Sequence, residues 1–173
     1  MAENILIFTG NGKGKSTAAF GMALRAAGHG QRILILQFMK SDETTGELAA
    51  MARHATLTVK QTGLGFVPRP DNPAYQAHRD AAQQGFALAR EAMRQGSCDL
   101  LILDEICGAV GCGLLTEAQV LEALEQSAPG INIVLTGRGA TAAMIELADT
   151  VTEMVPLKHA MEQGIPARLG IEY

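Results

Sequence analysis

Tryptophan is absent from this 173-residue chain, and tyrosine and phenylalanine contribute only two and five residues. Base-stacking platforms need aromatic faces, and this chain has little to build them from. It also lacks an excess of positive charge: 14 basic residues face 18 acidic ones, for a net charge of −4 with no long run of one sign. Nucleic acid and anionic membrane are therefore not expected partners. No apolar run approaches the roughly 20 residues that span a bilayer, and Met1-Ala2-Glu3-Asn4 carries no basic leader region. The expected compartment is the cytoplasm. Three cysteines, Cys98, Cys107 and Cys112, make no disulfide framework. Cys107 and Cys112 lack a second pair, and His54, His78 and His159 are scattered, so free thiols are expected rather than zinc ligands.

What is present suits one domain spanning residues 1–173 with a substantial core: 47% hydrophobic and 18% charged residues. The 19 glycines exceed the roughly 7% of an average chain, and many stand beside the ends of expected strands. Short apolar strands are expected at 5–8, 32–38, 56–61, 100–103, 132–136 and 150–155. Helices are expected at 16–27, stopped by Gly28 as the residue past the helix end, at 74–95, from Thr116 and near 141–148. Thr116 and Gln119 form a capping-box pattern. Alternation of this kind implies an α/β fold: a mostly parallel sheet with helices on both faces. Residues 62–73, with two glycines and three prolines, read as a loop. Residues 156–173 show no periodicity and are expected to pack over the sheet edge or a neighbouring subunit.

The strongest motif is Thr9-Gly10-Asn11-Gly12-Lys13-Gly14-Lys15-Ser16, between a strand and a helix. A triphosphate concentrates negative charge, and backbone N–H groups can wrap it only where side chains are missing, at Gly10, Gly12 and Gly14. The helix end adds its dipole, Lys15 a positive charge, and Ser16 a hydroxyl suited to Mg²⁺. The spacing is one residue short, because Thr9 stands where the usual first glycine lies. The expected nucleotide-binding set is Gly10, Asn11, Gly12, Lys13, Gly14, Lys15, Ser16 and Thr17. A second motif, Leu100-Leu101-Ile102-Leu103-Asp104-Glu105, delivers two acids to the sheet rim, where one is expected to cap the next segment and the other to hold Mg²⁺. A third, Leu135-Thr136-Gly137-Arg138-Gly139, presents an arginine able to donate bidentately to phosphate.

These motifs resemble those of the P-loop (RecA-like) ATP:corrinoid adenosyltransferases, shortened glycine spacing included. The likeness continues through Gln37-Phe38 with Lys40, Gly46-Glu47, Gly65-Phe66, Ala148-Asp149-Thr150-Val151-Thr152-Glu153, Lys158-His159 and the terminal Gly170-Ile171-Glu172-Tyr173. It implies that Co(I) of a corrinoid attacks C5′ of ATP and expels tripolyphosphate, with ATP held in reverse so that its adenosyl end faces the corrinoid. It assigns the metal to Ser16 and Glu105, and the leaving-group charge to Lys15 and Arg138. It gives Phe66 the lower face of the corrinoid, where it fills the place of the axial ligand. It also implies a homodimer and a reductase that supplies Co(I). Three positions depart from the pattern: Pro68 where better-known members carry Trp, Ser16 where Thr is common, and Met161 in place of a frequent aromatic. Two other readings share the phosphate motif: a kinase or NTPase acting at the γ-phosphate, and a non-catalytic nucleotide-dependent corrinoid carrier.

Overall fold

The computed structural model describes residues 1–171. Six strands form one parallel sheet: β1 (Asn4–Thr9), β2 (Ile33–Gln37), β3 (Leu57–Gln61), β4 (Leu100–Asp104), β5 (Asn132–Thr136) and β6 (Thr150–Glu153), in the spatial order β3-β2-β4-β5-β1-β6. The helices are α1 (Lys15–Gly28), α2 (Gly46–Met51), α3 (Tyr75–Gln95), α4 (Ile106–Gly111), α5 (Glu117–Glu125) and α6 (Ala142–Leu147). No helix among the described residues is long and apolar enough to cross a membrane.

Period-two alternation in the strands feeds two cores, one per face. Ile5, Ile7, Leu101, Leu103, Ile133 and Leu135 pack under α3 and α5, while Ile33, Ile35, Leu100, Ile102 and Val134 pack under α1. Ala19, Ala23 and Ala26 make the buried stripe of α1, small enough to bring that helix close to the sheet. The α3 stripe runs Ala82, Gly85, Phe86, Ala89, Ala92 and Met93, the spacing of a helix face. Gly85 is required there, since a Cβ would lie 2.4 Å from Thr62 Oγ1. Helix α5 begins with the expected capping box, Thr116 and Gln119 satisfying each other's backbone N–H groups.

Four expectations change. Gly28 is the last helical residue of α1, and the left-handed turn falls two residues later, at Gly30 (φ 72°), where Gln31 N–H returns to Ala26 O. Strand β6 stops at Glu153, because Met154 turns into the loop after β1. The short helices α2 and α4 were not expected; each is six residues, too brief to show a period. Residues 156–171 are mostly exposed, with one 3₁₀ turn at Ala160–Gln163, rather than packed over the sheet edge. Of the terminal motif, Gly170 and Ile171 line a cavity described below, whereas Glu172 and Tyr173 lie outside the described residues.

Candidate functional site: a phosphate loop beside an acidic strand end

Strand β1 lies between β5 and β6, and β5 separates it from the acidic strand β4. The tips of β1, β4 and β5 therefore meet at the carboxyl edge of the sheet, where open α/β folds bind ligands. The loop from Gly10 to Gly14 connects β1 to α1, with Gly10 (φ 93°) and Gly14 (φ 115°) in the left-handed region that favours glycine. Gly10 and Gly12 are also fixed by a neighbour: a Cβ on either would lie 2.5 or 2.7 Å from Met154 O. Gly12 N–H donates to that carbonyl at 2.7 Å, and Met154 N–H donates to Thr9 O at 2.8 Å. This corrects one detail of the sequence reading. The Gly12 amide is taken up by Met154 just past β6, so the amides left to meet a ligand are those of the rest of the loop and the first turn of α1. That turn contains no acidic residue to oppose an anion.

Lys15 is 7% exposed, and its Nζ donates to Gly10 O at 2.8 Å and Gly12 O at 2.7 Å. Burial lowers its pKa; Glu105 opposes that shift, Arg138 adds to it, and Asp104 again opposes it. A polyanion beside this ammonium would restore what burial takes away. Arg138 is exposed on the turn after β5, within electrostatic reach of Lys15 and Glu105, but it is not part of the cavity wall.

The two acids have different surroundings. Asp104 is fully buried: Thr136 Oγ1 donates to its Oδ1 at 2.8 Å, Gln37 Nε2 to its Oδ2 at 3.1 Å, and Lys40 Nζ lies 3.6 Å from Oδ2. Glu105 occupies the residue before α4 in a left-handed conformation (φ 63°), and its carboxylate takes no hydrogen bond among the described residues. Neither acid caps a helix with its side chain, contrary to the expectation for one of them. Burial raises the Glu105 pKa, and the Asp104 charge adds to that; Lys15, Lys40 and Arg138 pull the other way.

A cavity of about 680 Å³ starts at Lys15, Ser16 and Glu105 and runs outward between α1 and α2. Its far wall is largely apolar: Phe20, Leu24, Ala50, Met51 and Leu57, with Gly170 and Ile171 at the margin. Lys13 and Thr17 also line it, whereas Gly10, Asn11 and Gly12 do not. Phe66 is 94% exposed and lies outside this wall, so the structure does not bring it to the nucleotide end.

Gln37, Lys40 and Thr136 belong to the motifs above but carry no expected role there. The available signal was a glutamine closing an apolar strand and a threonine before a glycine turn, and only the strand order pairs them with Asp104. The thiols of Cys98 and Cys107 are buried, and burial pushes their pKa values up to about 11 and about 12. Among the described residues no three His, Cys, Asp or Glu side chains group as a metal site.

The sequence pattern of the family described as ATP:corrinoid adenosyltransferase BtuR/CobO/CobP matches residues 2–173. The corrinoid adenosyltransferase of Escherichia coli K12 is 36% identical over 170 residues, covering 98% of this chain and 85% of its own. That of Pseudomonas aeruginosa PAO1 is 38% identical over 170 residues, covering 98% and 83%. Among solved structures, a KaiC-like protein of Pyrococcus horikoshii OT3 superposes with a TM-score of 0.55 at 16% identity, over 90% of this chain and 73% of its own. At that identity the likeness concerns the fold alone, which is that of the P-loop NTPases. With the phosphate loop, the acidic strand end and the arginine turn all inside the matched span, the chain belongs to the ATP:corrinoid adenosyltransferase family.

Proposed function

We propose that the protein transfers the 5′-deoxyadenosyl group of ATP to the reduced cobalt of a corrinoid, releasing tripolyphosphate, as a step of cobalamin biosynthesis or salvage. The observation that carries this reading is the family likeness over residues 2–173, joined to a cavity that is cationic at the loop and apolar beyond it. The substrate cobalt is the nucleophile: its electron pair forms the Co–C5′ bond, the C5′–O bond breaks, and those electrons leave on the triphosphate oxygen. The protein needs no nucleophilic side chain of its own. Its work is to position the two substrates and to stabilise charge on the departing triphosphate.

Lys15 moves from its loop carbonyls to the phosphates, and Arg138 reaches in from the β5 turn. A reversed ATP places its adenosyl end toward the corrinoid. Ser16 and Glu105 fit Mg²⁺: both line the cavity, neither side chain has a protein hydrogen-bond partner among the described residues, and Glu105 is a partly buried carboxylate pressed by the Asp104 charge. Bound there, Mg²⁺ would share the negative charge of the leaving group. The exposed Phe66 is suited to meet a flat macrocycle, and it is proposed to cover the corrinoid's lower face. A homodimer, a reductase that delivers Co(I) and a cytoplasmic location complete the proposal.

The test is anaerobic incubation with MgATP and chemically reduced corrinoid. Adenosylcorrinoid and tripolyphosphate are the expected products. ADP with phosphate would instead make the protein a kinase or NTPase, and binding without turnover would make it a carrier.

A further inference from the structure

Four polar side chains stand in a line across the tips of four adjacent strands, and Lys40 joins them from the loop after β2. Gln61 on β3 donates to Gln37 Oε1 on β2 at 3.1 Å, and Gln37 donates to Asp104 Oδ2 on β4 at 3.1 Å. Thr136 on β5 donates its hydroxyl proton to Asp104 Oδ1 at 2.8 Å, and Lys40 closes on Oδ2 at 3.6 Å. The Thr136 oxygen also accepts the N–H of Glu105 at 2.9 Å. Both Thr136 and Asp104 are fully buried. Each carboxylate oxygen of Asp104 already has a protein donor, so this acid serves as an anchor, and Glu105 remains as the carboxylate free for the cavity.

Glu105 is the only non-glycine described residue with positive φ, at 63°. An L-residue holds that conformation only when its surroundings impose it. Among the described residues the one side-chain hydrogen bond to its backbone is to the Thr136 hydroxyl, itself oriented by Asp104. On the far side of the turn the chain cannot relax, because Gly137 lies so close to α4 that a Cβ would be 2.7 Å from Gly108 N.

We propose that Thr136 is a positioning residue for the metal-bound nucleotide: its hydroxyl pins Glu105 in the left-handed turn that aims the Glu105 carboxylate at the cavity beside Lys15 and Ser16. The role rests on Glu105 being a metal ligand in the reaction proposed above. One hydroxyl does two tasks, accepting from Glu105 and donating to Asp104. A side chain of equal shape without it would leave Glu105 in place in the sequence but misdirected in space.

Mn²⁺ in the presence of ATP is the probe, its uptake by the protein beyond that held by free ATP read by EPR. Glu105→Ala is measured first and is expected to weaken Mn²⁺ uptake by about tenfold or more, the usual scale for disturbing a metal ligand or its support. Thr136→Val is expected to lose about tenfold, Thr136→Cys less, and Thr136→Ser no more than about threefold, because only serine keeps the hydroxyl in full. ATP binding without metal is expected to stay within about twofold in all three, a split that a general loss of structure would not give. The double variant Thr136→Val with Glu105→Ala is expected to bind Mn²⁺ no worse than Glu105→Ala alone. A flat or reversed order among the folded Thr136 variants, or losses that multiply in the double variant, overturns the positioning role. Should Thr136→Val not fold, the serine and cysteine variants decide the order. An unchanged Glu105→Ala overturns the metal reading and this inference with it.

Discussion

The glycine-loop end of the proposed site and the Phe66 segment are built in opposite ways. Lys15, Asp104 and Thr136 all have internal hydrogen-bond partners there, leaving Ser16 and Glu105 open to the cavity, and Gly10, Gly12 and Gly137 are fixed by backbone contacts closer than a Cβ allows. At the other end the chain offers Leu64 and Phe66 to solvent. The contrast teaches which substrate the single chain is shaped to receive unaided. A compact polyanion would meet a loop and strand ends already held in place by folding, with only the Lys15 and Arg138 side chains left to redirect. A broad apolar disc needs surface that only its own arrival, or a second chain, covers.

If that division holds, damage at the two ends differs in kind. The largest effect is expected from Lys15→Ala, which removes the buried cation. Adenosyl transfer falls at least about a hundredfold, on the scale of 2.7 kcal/mol for a lost electrostatic contact, measured as adenosylcorrinoid formed from MgATP and reduced corrinoid. An unaffected variant would take Lys15 out of the chemistry. Next comes Gly10→Ala, which combines a φ of 93° with a Cβ placed 2.5 Å from Met154 O. It is expected to destabilise the fold by about 1–3 kcal/mol in urea melts and to weaken ATP binding at the same time. A variant that lost only one of these would separate the loop's packing from its ligand role.

Phe66→Ala sharpens the contrast from the other side. An exposed side chain contributes little to folding, so stability in urea melts is expected to hold within about 0.5 kcal/mol, as is typical of surface changes. KM for the corrinoid rises about tenfold while KM for ATP stays unchanged. A clear fall in stability would show that Phe66 packs after all.

The smallest effect concerns Glu105 and pH. Its pKa is raised in the folded protein, by burial first and then by the Asp104 charge. Below the ordinary carboxylate range both folded and unfolded states keep the proton, and the group contributes nothing. As pH rises toward the raised native pKa, the unfolded chain releases its proton first, so stability falls; above that window the penalty is constant. Glu105→Gln, which does not titrate, is therefore expected to gain in melting temperature relative to the parent as pH rises through the window. Superimposable pH profiles would show the carboxylate to be less confined than its surroundings suggest.

Much of this was legible in the sequence because its causes are local. The expected strand at 132–136 coincides with β5, and the Thr116 capping box forms as written, since a cap needs only residues three apart. The phosphate loop was readable for the same reason. What was not readable depends on who neighbours whom. Gln37, Asp104 and Thr136 lie on strands that become adjacent only after the order β3-β2-β4-β5-β1-β6 is set, and no spacing rule links position 37 to 104 or 136. The turning away of the Gly12 amide depends on Met154, some 140 residues later. The left-handed backbone of Glu105 was hidden as well, because glutamate carries no propensity for it and the cause lies on another strand.

The clasp between Met154 and the loop has a consequence for biogenesis. The loop proposed to grip the phosphates is made by residues 10–16, yet its strand lies between partners that follow about 130 and 145 positions later. On the ribosome this strand's edges stay bare until residues 132–136 and 150–153 have emerged, and such long-range closure is slow. Nascent chains halted before Met154 should therefore hold a complete nucleotide motif and still be unable to retain ATP.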